Sequence, residues 1–284
     1  MAPAMESRTL REELQVAERL ARRAAEAIMA LYGTDVEVEA KGGRPSDPVT
    51  EADRRANALI VEGLRTAFPD DGVVAEESPD RSDGLRGGRV WYVDPLDGTK
   101  EFLARNGEFA VMLGLAVEGE ARLGVVYQPA LDKLYGGVVD EGAWLVERGG
   151  APRSLRAERA ADARAPRLAV SRSHRSELVA RFAEQVGVRE EVRSGSVGLK
   201  VGLVVEGRVD LYVHPSSRTR AWDACGPDAI LRAAGGFFGG LDGEPQRYGG
   251  EVLRTERGIL ACTADLLERV RPAARRLGEA AGLL

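Results

Sequence analysis

Apolar positions recur every three or four residues from 8 to 31, at Leu10, Leu14, Ala17, Ala21, Ala24, Ile28 and Leu31. That spacing predicts an amphipathic helix with arginines and glutamates on its outer face. After a Gly/Pro-rich break, KGGRPSDP, Thr50 opens a second helix with Ala52, Ala56, Leu59, Ile60 and Leu64 along one side. It should stop near Phe68-Pro69. From residue 73 the period shortens. Apolar runs at 73–74, 90–93, 109–117, 123–127 and 134–138, separated by Gly, Asp and Pro, predict a mostly antiparallel sheet.

Gly149-Gly150-Ala151-Pro152 marks a boundary between an N-terminal α+β half, residues 1–150, and a C-terminal α/β half, residues 151–284. In the second half, strands at 168–170, 209–213 and 259–262 alternate with helices at 177–186, 196–205 and 223–234, and a last helix ends the chain. No internal repeat interrupts this order.

Composition narrows the chemistry. The chain has 284 residues, 44% apolar and 30% charged, enough for a real core. No apolar run nears the roughly 20 residues that span a bilayer, and the first residues lack the apolar centre of a signal peptide. The expectation is a cytoplasmic protein with no membrane partner. With a net charge of −5 and scattered Lys and Arg, the footprint of nucleic-acid binding is absent. Two cysteines, Cys225 and Cys262, and two histidines cannot build the usual Cys/His zinc site. A metal here must be held by oxygen, which favours a hard cation such as Mg²⁺.

The informative segment is Val90-Trp91-Tyr92-Val93-Asp94-Pro95-Leu96-Asp97-Gly98-Thr99. A strand delivers Asp94, Pro95 turns the chain, and Asp97 follows on the same rigid turn. Two such carboxylates can share divalent cations, with a backbone carbonyl between them as another ligand. The N–H groups of Gly98 and Thr99, at a helix start, can hold a phosphate. Pro95 stands where phosphatases of the haloacid-dehalogenase type carry a nucleophilic aspartate, so that chemistry is excluded. Glu76 and Glu77 end the preceding strand. Asp223 opens a helix after Trp222, where N-capping competes with any catalytic role. Thr50-x-x-Asp53 fits a capping box.

AEES at 75–78, DPLDGT at 94–99 and WDACGPDAIL at 222–231, in that order, resemble the inositol monophosphatase superfamily of lithium-sensitive, metal-dependent phosphomonoesterases. The resemblance runs from about residue 8 to the C-terminus. DPLDGT followed by Lys100-Glu101-Phe102, SRSH at 171–174 and GSVGLK at 195–200 is closer to the 3′(2′),5′-bisphosphate nucleotidase branch. Ala75 departs from the glycine frequent in that branch, and HPSSRTRAW before Asp223 has no residue-by-residue match.

The resemblance implies a layered α-β-α-β-α sandwich of mixed α+β and α/β character. It also implies hydrolysis of adenosine 3′,5′-bisphosphate to AMP and phosphate by metal-activated water. An inositol-1-monophosphatase or a sugar bisphosphatase is the alternative. A non-catalytic binding protein of the same fold is more distant, since it predicts eroded ligands and every acid is present. Glu76, Asp94 and the Leu96 carbonyl are expected to hold one Mg²⁺. Asp94, Asp97 and Asp223 would hold a second, and a third would sit near Glu76. Glu76 and Asp97 thereby count as catalytic, together with Thr99 and Asp53, which would orient the attacking water. Gly98, Thr99, Ser171, His174, Ser196, Lys200 and Asp223 are the expected contacts to a small phosphorylated metabolite. The resemblance leaves a homodimer and a monomer equally open.

Overall fold

Helices α1 (Arg11–Leu31) and α2 (Glu51–Ala67) form where the three-to-four spacing predicts them. Ala17, Ala21, Ala24 and Ile28 of the first, and Ala52, Ala56, Ile60 and Leu64 of the second, are fully buried. The computed structural model describes residues 10–40, 48–78, 88–158, 165–172, 176–249 and 253–284. The break at 41–47 and residues 8 and 9 of the first expected helix lie outside the described residues.

A short ribbon of β1 (Val38–Ala40) and β2 (Pro48–Thr50) joins the two helices. The chain then builds a seven-stranded sheet in sequence order from β3 (Gly72–Ala75), β4 (Arg89–Asp97), β5 (Ala110–Val117), β6 (Glu120–Gln128), β7 (Lys133–Val138), β8 (Gly142–Glu147) and β9 (Arg153–Leu155). Among the described residues of this sheet, β3 and β4 alone pair in parallel and its other pairs are antiparallel, as the short runs predict. β8 and β9 were not anticipated, and the sheet continues past the Gly149–Pro152 break to Leu155.

Strand side chains alternate between two cores. Val73, Ala75, Trp91, Val93, Val111 and Leu113 pack with α1 and α2. Val74, Val90, Tyr92, Ala110 and Met112 point the other way. That second face meets α5 (Val197–Val205) and α6 (Ala221–Ala233). Helix α5 is apolar all round apart from Lys200, the pattern of a helix covered on every side.

Beyond α5 and α6 lies a five-stranded sheet. Its strands are β10 (Arg167–Ser171), β11 (Glu190–Ser194), β12 (Leu211–His214), β13 (Phe237–Gly239) and β14 (Ile259–Cys262), in the order β11-β10-β12-β14-β13. Its outer face packs on α4 (Glu177–Val186) and α7 (Leu267–Ala280), through Leu168, Val170, Phe182, Leu260 and Val270. The layers therefore run α1/α2, seven strands, α5/α6, five strands, α4/α7. This is the expected α-β-α-β-α sandwich. Among the described residues, no helix is long and apolar enough to cross a membrane.

Candidate active site

The site begins with a fault in a strand. Asp94 stands opposite Met112 and Asp97 opposite Ala110, so Pro95 and Leu96 share the single position of Val111. In a regular strand, residues three apart point to opposite faces. The extra residue is a β-bulge, and it brings Asp94 and Asp97 back to one side. The Leu96 N–H donates to Asp94 Oδ1 at 3.0 Å and fixes the first carboxylate. Glu76 arrives beside them because β3 runs parallel to β4: Ala75 pairs with Val93, and the Glu76 N–H donates to the Val93 carbonyl at 3.0 Å.

Asp223 comes from the first turn of α6. The helix starts at Ala221, two residues before the expected Asp223. Asp223 caps it from its third position, its carboxylate accepting the N–H of Arg220, the N-cap residue, at 2.7 Å. The same carboxylate also reaches the strand site. A Cβ on Gly114 would lie 2.4 Å from the Gly226 nitrogen, and one on Gly124 only 2.0 Å from the Gly226 carbonyl oxygen. Only glycines let α6 lie directly on β5 and β6 here. At the end of that contact, the Asp223 side chain lies close enough to Asp94 for the two carboxyl groups to act on each other.

Crowding is visible in the acidities. Desolvation by the surrounding protein, then the charges of Glu76 and Asp97, hold the Asp223 carboxyl well above the usual carboxylate range. Desolvation also raises Asp97, opposed by Lys200 and by hydrogen bonds from Ser196, Gly198 and Val197. Among the described residues, no three acidic, histidine or cysteine side chains already form a closed metal cage. Asp97 is instead tied to protein donors, with Ser196 Oγ at 2.5 Å and the Gly198 N–H at 3.3 Å. The donor set nonetheless fits Mg²⁺: hard oxygens only, on rigid elements, and mutually repelling until a cation joins them.

Asp53 serves two partners at once. Its Oδ2 accepts the Thr50 N–H at 2.7 Å and the Thr50 hydroxyl at 2.6 Å, closing the capping box of α2. Its Oδ1 accepts the Thr99 hydroxyl at 3.0 Å. The helix cap and the proton partner are one carboxylate. Thr99 opens α3 (Thr99–Leu103), and Gly98 before it takes a left-handed φ of 99°. The Leu96 carbonyl lies 3.4 Å from the Thr99 hydroxyl, on the same turn.

Ser196 caps α5, its hydroxyl accepting the Leu199 N–H at 3.2 Å while donating to Asp97. Lys200 is buried. Its ammonium donates to the carbonyls of Gly195 and Ser196, the latter at 2.7 Å, and lies 5.2 Å from the centre of the Tyr212 ring. Burial pushes it down to about 8, against the pull of Asp97, Glu101, Glu108 and Asp223. Lys200 thus braces the turn before α5. Ser171 ends β10, in register with Ser194 of β11. His174 lies outside the described residues. The sequence reading missed Glu108 and Arg172, which meet at this rim in a two-point ion pair. Glu108 belongs to no motif, and Arg172 lies inside SRSH, of which only Ser171 and His174 were expected as contacts.

A profile of the inositol monophosphatase family matches residues 9–279. The chain is 39% identical over 230 residues to the 3′(2′),5′-bisphosphate nucleotidase CysQ of Salmonella typhimurium, covering 81% of this chain and 91% of that protein. Among solved structures, it resembles CysQ of Bacteroides thetaiotaomicron, a bacterial member of the inositol monophosphatase family, with a TM-score of 0.72 and 30% identity. That match covers 88% of this chain and 97% of the other. An IMPase of Thermotoga maritima matches with a TM-score of 0.78 and 27% identity, over 95% of this chain and all of the other.

Proposed function

Since the chain belongs to the inositol monophosphatase family, we propose that it is a metal-dependent phosphomonoesterase that removes a phosphate from 3′(2′),5′-bisphosphate nucleotides such as adenosine 3′,5′-bisphosphate. The observation that carries the chemistry is the meeting of Asp223, from a distant part of the chain, with Glu76, Asp94 and Asp97, all close enough to shift its acidity. The choice of substrate rests on the 39% identity to the Salmonella nucleotidase. The likeness to the Thermotoga IMPase supports inositol 1-phosphate as the second reading.

Glu76, Asp94, the Leu96 carbonyl, Asp97 and Asp223 are the ligands for two to three Mg²⁺, with residues 1–150 giving most of them and residues 151–284 giving Asp223 and substrate contacts. When bound, the ions supply positive charge to the phosphate and make water acidic enough to attack near neutral pH. The rest falls to the chain. Thr99 donates its hydroxyl proton to Asp53, which leaves its oxygen lone pairs to accept a proton from the attacking water. As the water oxygen bonds to phosphorus, its proton passes to Thr99 and the Thr99 proton to Asp53. The ester P–O bond breaks on the opposite side, and the departing oxygen takes up a proton from solvent as the nucleoside phosphate leaves. The N–H groups of Gly98 and Thr99 would bind phosphoryl oxygens, because the first N–H groups of a helix have no acceptor within it.

Ser171, His174, Ser196, Lys200 and Asp223 remain the proposed substrate contacts. Ser196 and Lys200 would act largely through the turn they brace. The cytoplasm is the proposed location. Phosphate release from adenosine 3′,5′-bisphosphate and inositol 1-phosphate, measured side by side with Mg²⁺ and with a chelator, tests the reading. Faster release from the nucleotide, lost on chelation, is expected. Preference for inositol 1-phosphate would move the assignment to the second reading.

A further inference from the structure

Glu108 lies on the loop between α3 and β5, outside every motif named above. Its Oε2 accepts the Gly195 N–H at 2.8 Å and Arg172 Nε at 2.5 Å, and its Oε1 accepts Arg172 Nη2. One carboxylate therefore joins three segments: its own loop, the end of β10, and the turn between β11 and α5. The backbone is fitted as closely. A Cβ on Gly195 would come within 2.4 Å of the Glu108 carbonyl oxygen, and one on Gly98 within 3.1 Å of the same atom. Side chain and main chain of Glu108 thus press on the two turns that flank Asp97.

Gly195 is followed by Ser196, whose hydroxyl donates to Asp97 at 2.5 Å, and then by Gly198, whose N–H donates to the same oxygen at 3.3 Å. The orientation of Asp97 is set by this turn, and Glu108 holds the turn at its first residue. We propose that Glu108 is a positioning residue for the reaction: it fixes Gly195 so that Ser196 and Gly198 present Asp97 in its working orientation. Its ion pair with Arg172 is secondary, because both groups are partly exposed and such pairs contribute little. The inference rests on the proposed phosphatase reading only in its choice of assay.

Three variants of the full chain separate the contributions: Glu108→Ala, Glu108→Gln and Arg172→Ala. Steady-state hydrolysis of adenosine 3′,5′-bisphosphate with Mg²⁺ should show kcat lowered about 10- to 100-fold in Glu108→Ala, the usual cost of removing a group that orients a ligand. KM should stay within about threefold, since the residue is not a binding contact. Glu108→Gln keeps an acceptor for Gly195 and should restore most of kcat. Arg172→Ala should resemble the parent. Hydrogen exchange over residues 194–199 reads the same turn without turnover, and should quicken at least about tenfold in Glu108→Ala alone.

Equal losses in Glu108→Ala and Arg172→Ala, a loss confined to KM, or unchanged exchange at 194–199 would each overturn the proposal. A parent protein that releases no phosphate from any substrate removes the phosphatase reading instead. The exchange comparison still decides the role of Glu108 in that case.

Discussion

Asp94 near the end of β4 and Asp223 in the first turn of α6 come close enough for their carboxyl groups to act on each other. Carboxylates crowded in this way repel one another while both are ionised. A divalent cation between them would satisfy both groups, together with Glu76 and Asp97, at lower electrostatic cost.

Mg²⁺ should therefore raise the melting temperature of the parent. At a concentration 100 times its dissociation constant, a ligand of the native state adds about 2.7 kcal/mol. For a chain of this length, that corresponds to roughly 5–10 °C. Asp97→Asn and Asp223→Asn should lose most of the shift and nearly all turnover. Differential scanning calorimetry with and without Mg²⁺ reads it, and an equal shift in Asp223→Asn would detach that residue from the site.

Asp53 links a helix cap to the proposed proton path, and the two roles can be separated. Thr99→Ala leaves both Thr50 hydrogen bonds to Asp53 in place. It should lower kcat about 10²- to 10⁴-fold while leaving the melting temperature near that of the parent. Asp53→Ala should lose activity as severely and also about 1 kcal/mol of stability, through the broken capping box. Parallel kinetics and denaturant titrations distinguish the two. Full activity in Thr99→Ala would end the water-orienting role.

Much of this was legible in the sequence because interior strands and helices carry their burial in their spelling. The runs at 90–93, 109–117 and 123–127 became central strands, and α1, α2, α4 and α6 fell close to their expected bounds. The missed strands lie mostly at margins. β9, β11 and β13 are sheet edges. Edge strands can be short or polar, and Glu190-Glu191-Val192-Arg193-Ser194 reads as a loop until its parallel partner β10 is known. Asp94, Asp97, Glu76 and Asp223 were found by motif, but the bulge that turns Asp97 toward Asp94 depends on pairing with β5. Glu108 was invisible for a similar reason, since its meaning lies in Gly195 and Arg172.

The contact between α6 and the sheet should tolerate no side chain. Gly124→Ala would place a methyl group 2.0 Å from the Gly226 carbonyl oxygen, against helix backbone that cannot rotate away. The helix must lift, at a cost of about 1–3 kcal/mol or more. Because α6 carries Asp223, kcat should fall as well. Gly142→Ala is the control: no atom lies within 4 Å of the added Cβ, and only its φ of 117° adds strain. A stability loss no larger in Gly124→Ala than in Gly142→Ala would show that the helix–sheet contact has room for the added methyl group.

Asp228, one turn and a half beyond Asp223, is a fully buried acid on the same helix. Its Oδ2 accepts the Tyr248 hydroxyl at 2.9 Å, while its Oδ1 has no hydrogen-bond partner among the described residues. Burial pushes its carboxyl up to about 7, eased by Tyr248 and Arg232 and worsened by Glu120. The folded form therefore binds a proton more tightly than the unfolded chain, whose aspartates titrate near 3.8. Between these two values the native state holds more protons, so the Asp228 contribution to stability is full at low pH and declines as pH rises toward 7. From pH 5 to pH 8 the loss is on the order of 2–3 kcal/mol. Asp228→Asn cannot ionise and should show a flatter stability profile over that range, overtaking the parent at the alkaline end. Urea titrations of both proteins at pH 5, 6.5 and 8 measure the difference, which cancels every other titrating group the two share. Parallel profiles would mean that Asp228 remains ionised in the fold, its charge carried by a partner that the Tyr248 contact alone does not supply.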